Sequence, residues 1–251
     1  IIYAPECRKF QKNIAQILDS WDTAIEKTEA LITAKKKRFE WLSGQLLDNK
    51  SNDFDWQKYA FGEIFEPFKK VNTKNQDLEV LSVTTGGIIS QSEYFKKEIA
   101  SEDKSKYLVV ERGDLVMSGL NFWMGAIDFQ DIRDIGIVSP AYKTFKIKSG
   151  FFDKNYLRFL IRSKYMKKTL RGASVQGASV VRRNLDKDML TNSTIHLPPL
   201  KIQRSIANTL NVTKKEISLL EEQAKHYRTQ KRGLMQKLLT GEWRIGEKEV
   251  A

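Results

Sequence analysis

One long stretch of this sequence occurs twice, and the repeat limits the folds open to the chain more than any other feature. Residues 10–47 align without a gap on residues 202–239 at a constant offset of 192. Nine positions are identical: Gln11/Gln203, Ile14/Ile206, Ala15/Ala207, Leu18/Leu210, Ile25/Ile217, Glu29/Glu221, Leu42/Leu234, Leu46/Leu238 and Leu47/Leu239. Such a repeat predicts two copies of one structural unit near the two ends of the sequence.

Both copies space their apolar residues alternately by four and by three. This spacing predicts a helix with one apolar stripe, which needs a partner helix along that stripe. At about 1.5 Å per residue each helix would be about 55 Å long. In the first copy the predicted stripe is Ile14, Leu18, Trp21, Ile25, Thr28, Ile32, Lys35, Phe39, Leu42 and Leu46. In the second copy it is Ile206, Leu210, Thr213, Ile217, Leu220, Ala224, Tyr227, Lys231, Leu234 and Leu238.

The segment between the repeats has a different pattern. Short β-like runs punctuated by glycine occupy residues 78–85, 107–118, 124–129 and 135–147, and Pro140 places the last of them at a sheet edge or a bulge. One helix is predicted from the N-cap Asp153 to a C-terminal glycine, Gly172. These signals predict a mixed α/β domain.

The order of these parts predicts how they assemble. One long helix runs into the central domain and the other runs out of it, so helices that pair within the chain must be antiparallel. We therefore expect an α+β fold in which one mixed domain is flanked by an antiparallel coiled coil. Two amphipathic helices of an ordinary helical domain are the alternative. The expected bounds are a strand and turn stub at 1–9, helices at 10–50 and 198–242, the domain at 51–197 and a tail at 243–251.

Charge favours a polyanionic partner. The chain has 43 Lys and Arg against 31 Asp and Glu, a net charge of +12 and a pI near 9.6, which favours nucleic acid over an anionic membrane surface. The single cysteine, Cys7, allows no internal disulfide and fits a cytoplasmic location. No run of 18 apolar residues exists, so we expect no membrane span.

The residues that most catalytic and metal sites need are scarce. The two histidines, His196 and His226, lie on different predicted elements and accompany one cysteine, which is too few for a zinc cluster or a Cys/His dyad. Gly86-Gly87 lacks the spacing of a phosphate-binding loop. Residues 138–142 (VSPAY) lack the Asn and the second Pro of an amino-methyltransferase loop. We therefore expect no catalytic residue, no metal and no cofactor on this chain.

Candidate DNA-binding residues lie in three predicted loops. The glycine-rich segment 171–183 carries arginine and glutamine, whose side chains can make paired hydrogen bonds to base edges. A second polar loop and the tip of a hairpin add further candidates. The predicted set is Lys69, Lys70, Lys74, Asn75, Asn121, Arg171, Ser174, Gln176, Arg182 and Arg183.

Motifs at the helix ends resemble one family. Residues 198–203 (PPLKIQ) with Ile206-Ala207, and 231–241 (KRGLMQKLLTG) at the end of the second helix, resemble the C-terminal conserved region of the specificity subunits of type I restriction-modification enzymes. Residues 14–47 resemble their central conserved region. Residues 113–116 (GDLV) and 138–142 resemble strands of their target recognition domains. The resemblance covers nearly the whole chain.

The resemblance implies a non-catalytic subunit of a DNA methyltransferase and endonuclease complex. Its target recognition domain, here 51–197, would read one half of an interrupted double-stranded DNA sequence, and the helix pair would set the gap between the halves. Two methyltransferase (modification) subunits and the restriction/translocase subunits would be its partners. S-adenosylmethionine, ATP and Mg²⁺ are expected on those partners only.

Three questions stay open from the residues. The chain has one recognition domain where the family has two, so it matches the second half of a full subunit. It could be a fragment, which the opening IIYAP favours, a short natural form, or one copy of a homodimer. A stand-alone coiled-coil DNA-binding or transcriptional protein is the main alternative function, and an unrecognised enzyme is the other.

Overall fold

The computed structural model describes residues 8–48, 55–94, 103–148, 152–176 and 183–243. The predicted stub before Arg8, the predicted tail after Trp243 and Arg182 lie outside these residues. The chain divides into two compact units. The first is Ile1–Leu42 together with Thr209–Ala251, and the second is Ser43–Asn208. None of the described helices is long and apolar enough to cross a bilayer.

Long helices and short strands make up the two units. The α-helices are α1 (Arg8–Ser43), α2 (Phe61–Ile64), α3 (Gln91–Tyr94), α4 (Lys154–Arg162), α5 (Lys164–Gly172), α6 (Lys187–Thr191) and α7 (Leu200–Thr240). A π-helical turn, Gly44–Asp48, follows α1, and a short 3-10 helix occupies Phe122–Met124. The strands are β1 (Gln57–Ala60), β2 (Phe65–Phe68), β3 (Val80–Thr84), β4 (Gly87–Ser90), β5 (Leu108–Glu111), β6 (Leu115–Met117), β7 (Ile127–Phe129), β8 (Ile135–Val138), β9 (Lys143–Ile147), β10 (Ser174–Gln176), β11 (Arg183–Leu185) and β12 (Thr194–Leu197).

The first unit is an antiparallel pair formed by α1 and α7, as the repeat predicts. Ion pairs join Asp22 to Lys231, Glu29 to Arg228 and Lys36 to Glu221, so partner numbers fall along α7 as they rise along α1. The Trp21 and Tyr227 rings meet edge to face at 5.8 Å. Every predicted stripe residue is buried or half-buried, whereas most of their neighbours on both helices are exposed. The predicted coiled coil is confirmed.

Two lysines within the stripes take part in the pairing of the helices. Lys35 Nζ lies 2.6 Å from Glu216, and Lys231 pairs with Asp22. Exposed or half-exposed ion pairs contribute only about 0–1 kcal/mol each, so their effect is mainly on register. Thr28, another polar stripe residue, donates its hydroxyl to Ala24 O of its own helix at 2.7 Å. Thr213, the fourth polar stripe residue, likewise donates to Thr209 O at 2.9 Å, so each of the four polar stripe side chains has a partner.

The second unit is a mixed α/β domain with two four-stranded sheets. One sheet has the strand order β2-β9-β6-β7 and is antiparallel; the other has the order β4-β3-β8-β5, in which β3 and β8 are parallel. Strands β5 and β6 are almost wholly apolar and buried, which places the core between the sheets. The α+β fold class is confirmed.

Pro140 does not lie in an edge strand, contrary to the prediction for 135–147. It separates β8 from β9, and these two strands belong to different sheets, each at an inner position. Proline has no N–H for a ladder hydrogen bond, so it ends one strand and the chain then crosses to the other sheet. Residues 135–147 therefore contain two strands of different sheets, and not one strand at an edge.

The single helix predicted at 153–172 is two helices. Asp153 caps α4 as predicted, since its Oδ1 accepts from Tyr156 N at 2.9 Å. Ser163 has extended backbone angles, and its Oγ accepts from Met166 N at 3.0 Å, so it ends α4 and caps α5. The break at Ser163 therefore makes α4 and α5 two separate helices. Gly172 ends α5 without the positive φ of a glycine cap.

A strand and a proline turn lead into α7. Strand β12 pairs with β1, and Pro198-Pro199 separates β12 from the helix. The buried Gln203 side chain donates to Pro198 O and accepts from Asp153 N, both at 2.9 Å. One repeated glutamine thus connects the start of α7 to the turn and to the cap of α4.

Candidate nucleic-acid interface

Helix α5 presents one apolar and one cationic face. Met166 and Leu170 are fully buried. The opposite face carries four cations at the helical spacing i, i+3, i+4 and i+7, and all four are exposed: Lys164, Lys167, Lys168 and Arg171. None of them forms an ion pair with another described residue. Four unpaired cations along about 10 Å of helix are suited to a row of phosphates.

The hairpin tip between β6 and β7 lies against α5. Gly125 has φ +95°, a backbone conformation that favours glycine, and it lies against the Lys167 side chain, since a Cβ at this residue would lie 2.6 Å from Lys167 Cε. Asn121 is exposed at the tip, and its backbone carbonyl accepts a hydrogen bond from Met124 N at 3.0 Å. The Trp123 indole is half-buried, and its N–H has no partner among the described residues. Asn121 and the cations of α5 therefore belong to one region.

The glycine-rich segment after α5 begins and ends as paired strands, although the sequence predicts a loop. In the β10–β11 hairpin, Gln176 is opposite Arg183. The Arg183 guanidinium donates from Nε to Ser174 Oγ at 2.6 Å and from Nη2 to Ser174 O at 2.9 Å. The Ser174 hydroxyl is buried and donates to Arg171 O at 2.6 Å. In this structure Ser174 and half-buried Arg183 stabilise the hairpin, a role that the sequence analysis did not assign.

We expect Ser174→Ala and Arg183→Ala to loosen this hairpin to a similar extent, because each removes the hydrogen bond between the two side chains and one further hydrogen bond. Proteolytic cleavage near 174–185 should accelerate several-fold in both. If Arg183 also contacts DNA, Arg183→Ala weakens DNA binding about tenfold more than Ser174→Ala, which leaves the guanidinium in place. Equal losses of DNA binding in the two variants would limit Arg183 to its structural role.

The polar loop after β2 contacts a different segment, 104–111. Lys70 Nζ lies 2.8 Å from Glu111 Oε1, and this hydrogen bond lowers the pKa of Glu111 below its ordinary value. Asn75 has a left-handed backbone with φ +46°, and its Oδ1 accepts from Lys104 N at 3.0 Å. Asparagine tolerates this conformation better than most residues. Lys70 and Asn75 therefore have structural partners, whereas Lys69 and Lys74 are exposed without an ion pair among the described residues.

The structure brings some predicted residues together and separates others. Arg171 lies on α5, and the hairpin tip with Asn121 and the β10–β11 hairpin lie next to this helix. Lys69 and the end of β11 border the same cavity. Lys164, Lys167 and Lys168 were missed by the sequence analysis, which examined only the apolar periodicity of this helix. Their i, i+3, i+4 spacing was the signal that could have found them.

Comparisons with known proteins agree with this architecture. No protein-family model matches the chain. The sequence is 26% identical over 269 residues to the type I restriction enzyme MjaVIII specificity subunit of Methanocaldococcus jannaschii, an alignment that covers 94% of this chain and 60% of that protein. The chain therefore spans about 60% of the length of this curated relative.

Two solved structures share the fold. The HsdS subunit of Thermoanaerobacter tengcongensis matches with a TM-score of 0.60 at 12% identity, over 94% of this chain and 58% of that subunit. The type I restriction-modification S subunit of M. genitalium matches with a TM-score of 0.51 at 11% identity, over 95% of this chain and 62% of that subunit. The chain is therefore similar in sequence to one type I restriction enzyme specificity subunit, and it shares its fold with two solved S subunits.

Proposed function

We propose that the chain is a sequence-specific DNA recognition component of a type I restriction-modification system. The observation that carries this proposal is the sequence similarity over 94% of the chain to a type I specificity subunit. The cationic face of α5 supports it, because base-independent phosphate contacts hold and orient a DNA-reading domain. In this proposal the domain reads one half of a bipartite target.

The exposed predicted residues are the proposed DNA contacts. Lys69, Lys74, Asn121 and Arg171 join Lys164, Lys167 and Lys168 of α5 in this role. Lys70 would contribute only if it leaves Glu111, and the side chain of Gln176 and all of Arg182 keep their place as sequence predictions. A lysine that contacts one phosphate weakens all DNA sequences alike when it is removed.

The helix pair is the proposed spacer and the seat for partner subunits. Helices of 36 and 41 residues span about 55–60 Å at about 1.5 Å per residue, which is long enough to separate two DNA contacts by more than one helical turn of DNA. Methyltransferase and restriction subunits would supply all catalysis. A second reader would come either from a further recognition domain or from a second copy of this chain.

Methylation mapping tests this function directly. Genomic DNA from cells that express the candidate methyltransferase with and without this chain should differ at one interrupted sequence motif, methylated only when the chain is present. A palindromic motif would indicate two copies of this chain, and an asymmetric motif a second, different reader. Identical methylation with and without the chain would contradict the proposal, and turnover by the purified chain with S-adenosylmethionine alone would indicate an enzyme.

The main alternative is a stand-alone DNA-binding or transcriptional protein. It predicts tight operator binding by the purified chain and no effect on methylation. The comparisons give this alternative no support, since the relatives are restriction-system subunits.

A further inference from the structure

A cavity of about 620 Å³ opens in the unit Ser43–Asn208, at the ends of β2 and β9. This volume lies within the range of small-molecule binding pockets. Five aromatic side chains line it: Phe61, Phe65, Phe68, Tyr142 and Phe145. The Phe61 ring packs on two others on this side of the cavity. Its centroid lies 4.7 Å from that of Phe65 and 5.4 Å from that of Phe145.

Lysines surround the aromatic surface. The lining includes Lys69, Lys143, Lys148 and Lys187 and contains no Asp or Glu. None of the four ammonium groups pairs with a carboxylate among the described residues. Other lysines of this domain do find carboxylates, since Lys70 and Lys146 approach Glu111 at 2.8 and 3.8 Å. The cavity therefore concentrates uncompensated positive charge beside an apolar surface.

This combination specifies the chemistry of a ligand. An aromatic ring gains from stacking on Phe68 or Tyr142, which are half-buried and line the cavity; Lys146 Nζ lies 5.2 Å from the centre of the Phe68 ring and adds a further positive charge. Four ammonium groups favour a multiply charged group such as phosphate over a single carboxylate, because each is a compact point charge.

We propose that this cavity is a nucleotide-binding site, in which the base stacks on Phe68 and Tyr142 and the lysines bind the phosphate. The nucleotide has two sources, a free nucleoside phosphate or an unpaired nucleotide of a nucleic acid. The same contacts serve both, because both present a base and a 5′-phosphate. This site is additional to the proposed reading of DNA through α5.

Fluorescence of 2-aminopurine tests the site with the full chain. The probe is 2-aminopurine deoxyriboside 5′-monophosphate, whose emission is quenched when the base stacks. We expect saturable quenching by the wild type, and about tenfold weaker binding of the corresponding nucleoside without phosphate. Lys143→Gln with Lys148→Gln should weaken probe binding about tenfold. Tyr142→Leu should weaken it about tenfold, whereas Tyr142→Phe should retain the quenching.

The controls distinguish probe binding at the cavity from a general effect of positive charge and from loss of the fold. Lys58→Gln with Lys106→Gln removes two exposed lysines of the same domain that lie outside the cavity, and it should leave probe binding unchanged. The lysine variants replace cationic side chains that line the cavity and leave its aromatic residues in place. Nucleoside binding as tight as nucleotide binding, or equal losses in the two lysine pairs, would overturn the proposal.

The source of the nucleotide is decided with the same variants. The 2-aminopurine base is placed opposite an abasic site in a duplex, and free AMP is added as a competitor. Quenching in the duplex that is lost in the cavity variants indicates a nucleic acid, whereas quenching of the mononucleotide alone indicates a free nucleotide. Absence of quenching in both arms overturns the site. A mononucleotide cannot report sequence reading, so this result is distinguishable from failure of the proposed function.

Discussion

Ile217→Asp should unfold the helix pair while the mixed domain remains folded. Ile217 is 8% exposed in the apolar stripe, next to the Lys35–Glu216 ion pair. A carboxylate there would be buried without a partner, at a cost of about 3–5 kcal/mol. Because the chain has two units, we expect a separate transition at lower urea for the helix pair, with early loss of the circular dichroism signal at 222 nm and fast amide exchange in α1 and α7.

The matched control is Leu219→Asp. Leu219 lies two residues further along α7, is 56% exposed and receives the same acidic residue. Leucine has a higher helix propensity than isoleucine, so the propensity cost of about 0.5 kcal/mol is at least as large in the control, and a greater loss of stability in Ile217→Asp reflects burial. Similar destabilisation by the two variants would contradict the assigned stripe. Strong destabilisation by Leu219→Asp alone would place the apolar contact on the other face of α7.

Reversal of the α5 charges should abolish most DNA binding. In the quadruple variant Lys164→Glu, Lys167→Glu, Lys168→Glu, Arg171→Glu, the face that we propose for phosphate contacts becomes acidic. Four lost phosphate contacts should lower the slope of log K against log salt by about 3–4, and reduce affinity at least 100-fold at about 0.1 M salt. Affinity for paired duplex DNA measured over a range of salt concentrations gives both numbers.

The control for charge reverses four exposed cations of α7 instead: Lys214, Lys215, Lys225 and Arg232. Net charge changes by the same amount, so a general electrostatic effect would appear in both variants. We expect the salt slope to remain near that of the wild type in the control. An equal reduction of the salt slope in both variants would show that α5 has no specific role in DNA binding. Unchanged binding in the α5 variant would place the DNA contacts elsewhere on the domain.

Local sequence signals predicted the features that depend on nearby residues, and they failed where strand pairing or a break between two elements decides the structure. The apolar stripes and the Asp153 cap each depend on residues a few positions apart, and the structure confirms them. Pro140 and Ser163 misled the prediction because each one also separates elements. Whether a proline ends a strand at an edge or between two sheets depends on strand pairing, which short-range pattern does not contain.

The candidate site shows the same division. Arg183 and Ser174 are nine residues apart, and Lys70 and Glu111 are 41 apart, so no local spacing reveals that these polar groups bind each other. A basic residue in a loop has the same appearance in the sequence whether its charge is free or paired. Availability for a ligand is decided by partners that folding brings near.

The sequence by itself determined the repeat, the two long helices, their antiparallel pairing and a basic α/β domain between them. These follow from periodicity and chain order, which are properties of neighbouring residues. Only the tertiary structure decided which cations have no ion-pair partner among the described residues, that the hairpin tip lies beside the cationic face of α5, and that lysines of β9 and α6, with the lysines that follow β2 and β9, line one aromatic cavity. Those features arise from contacts between residues far apart in the chain, and such contacts form only when the sheets close on each other.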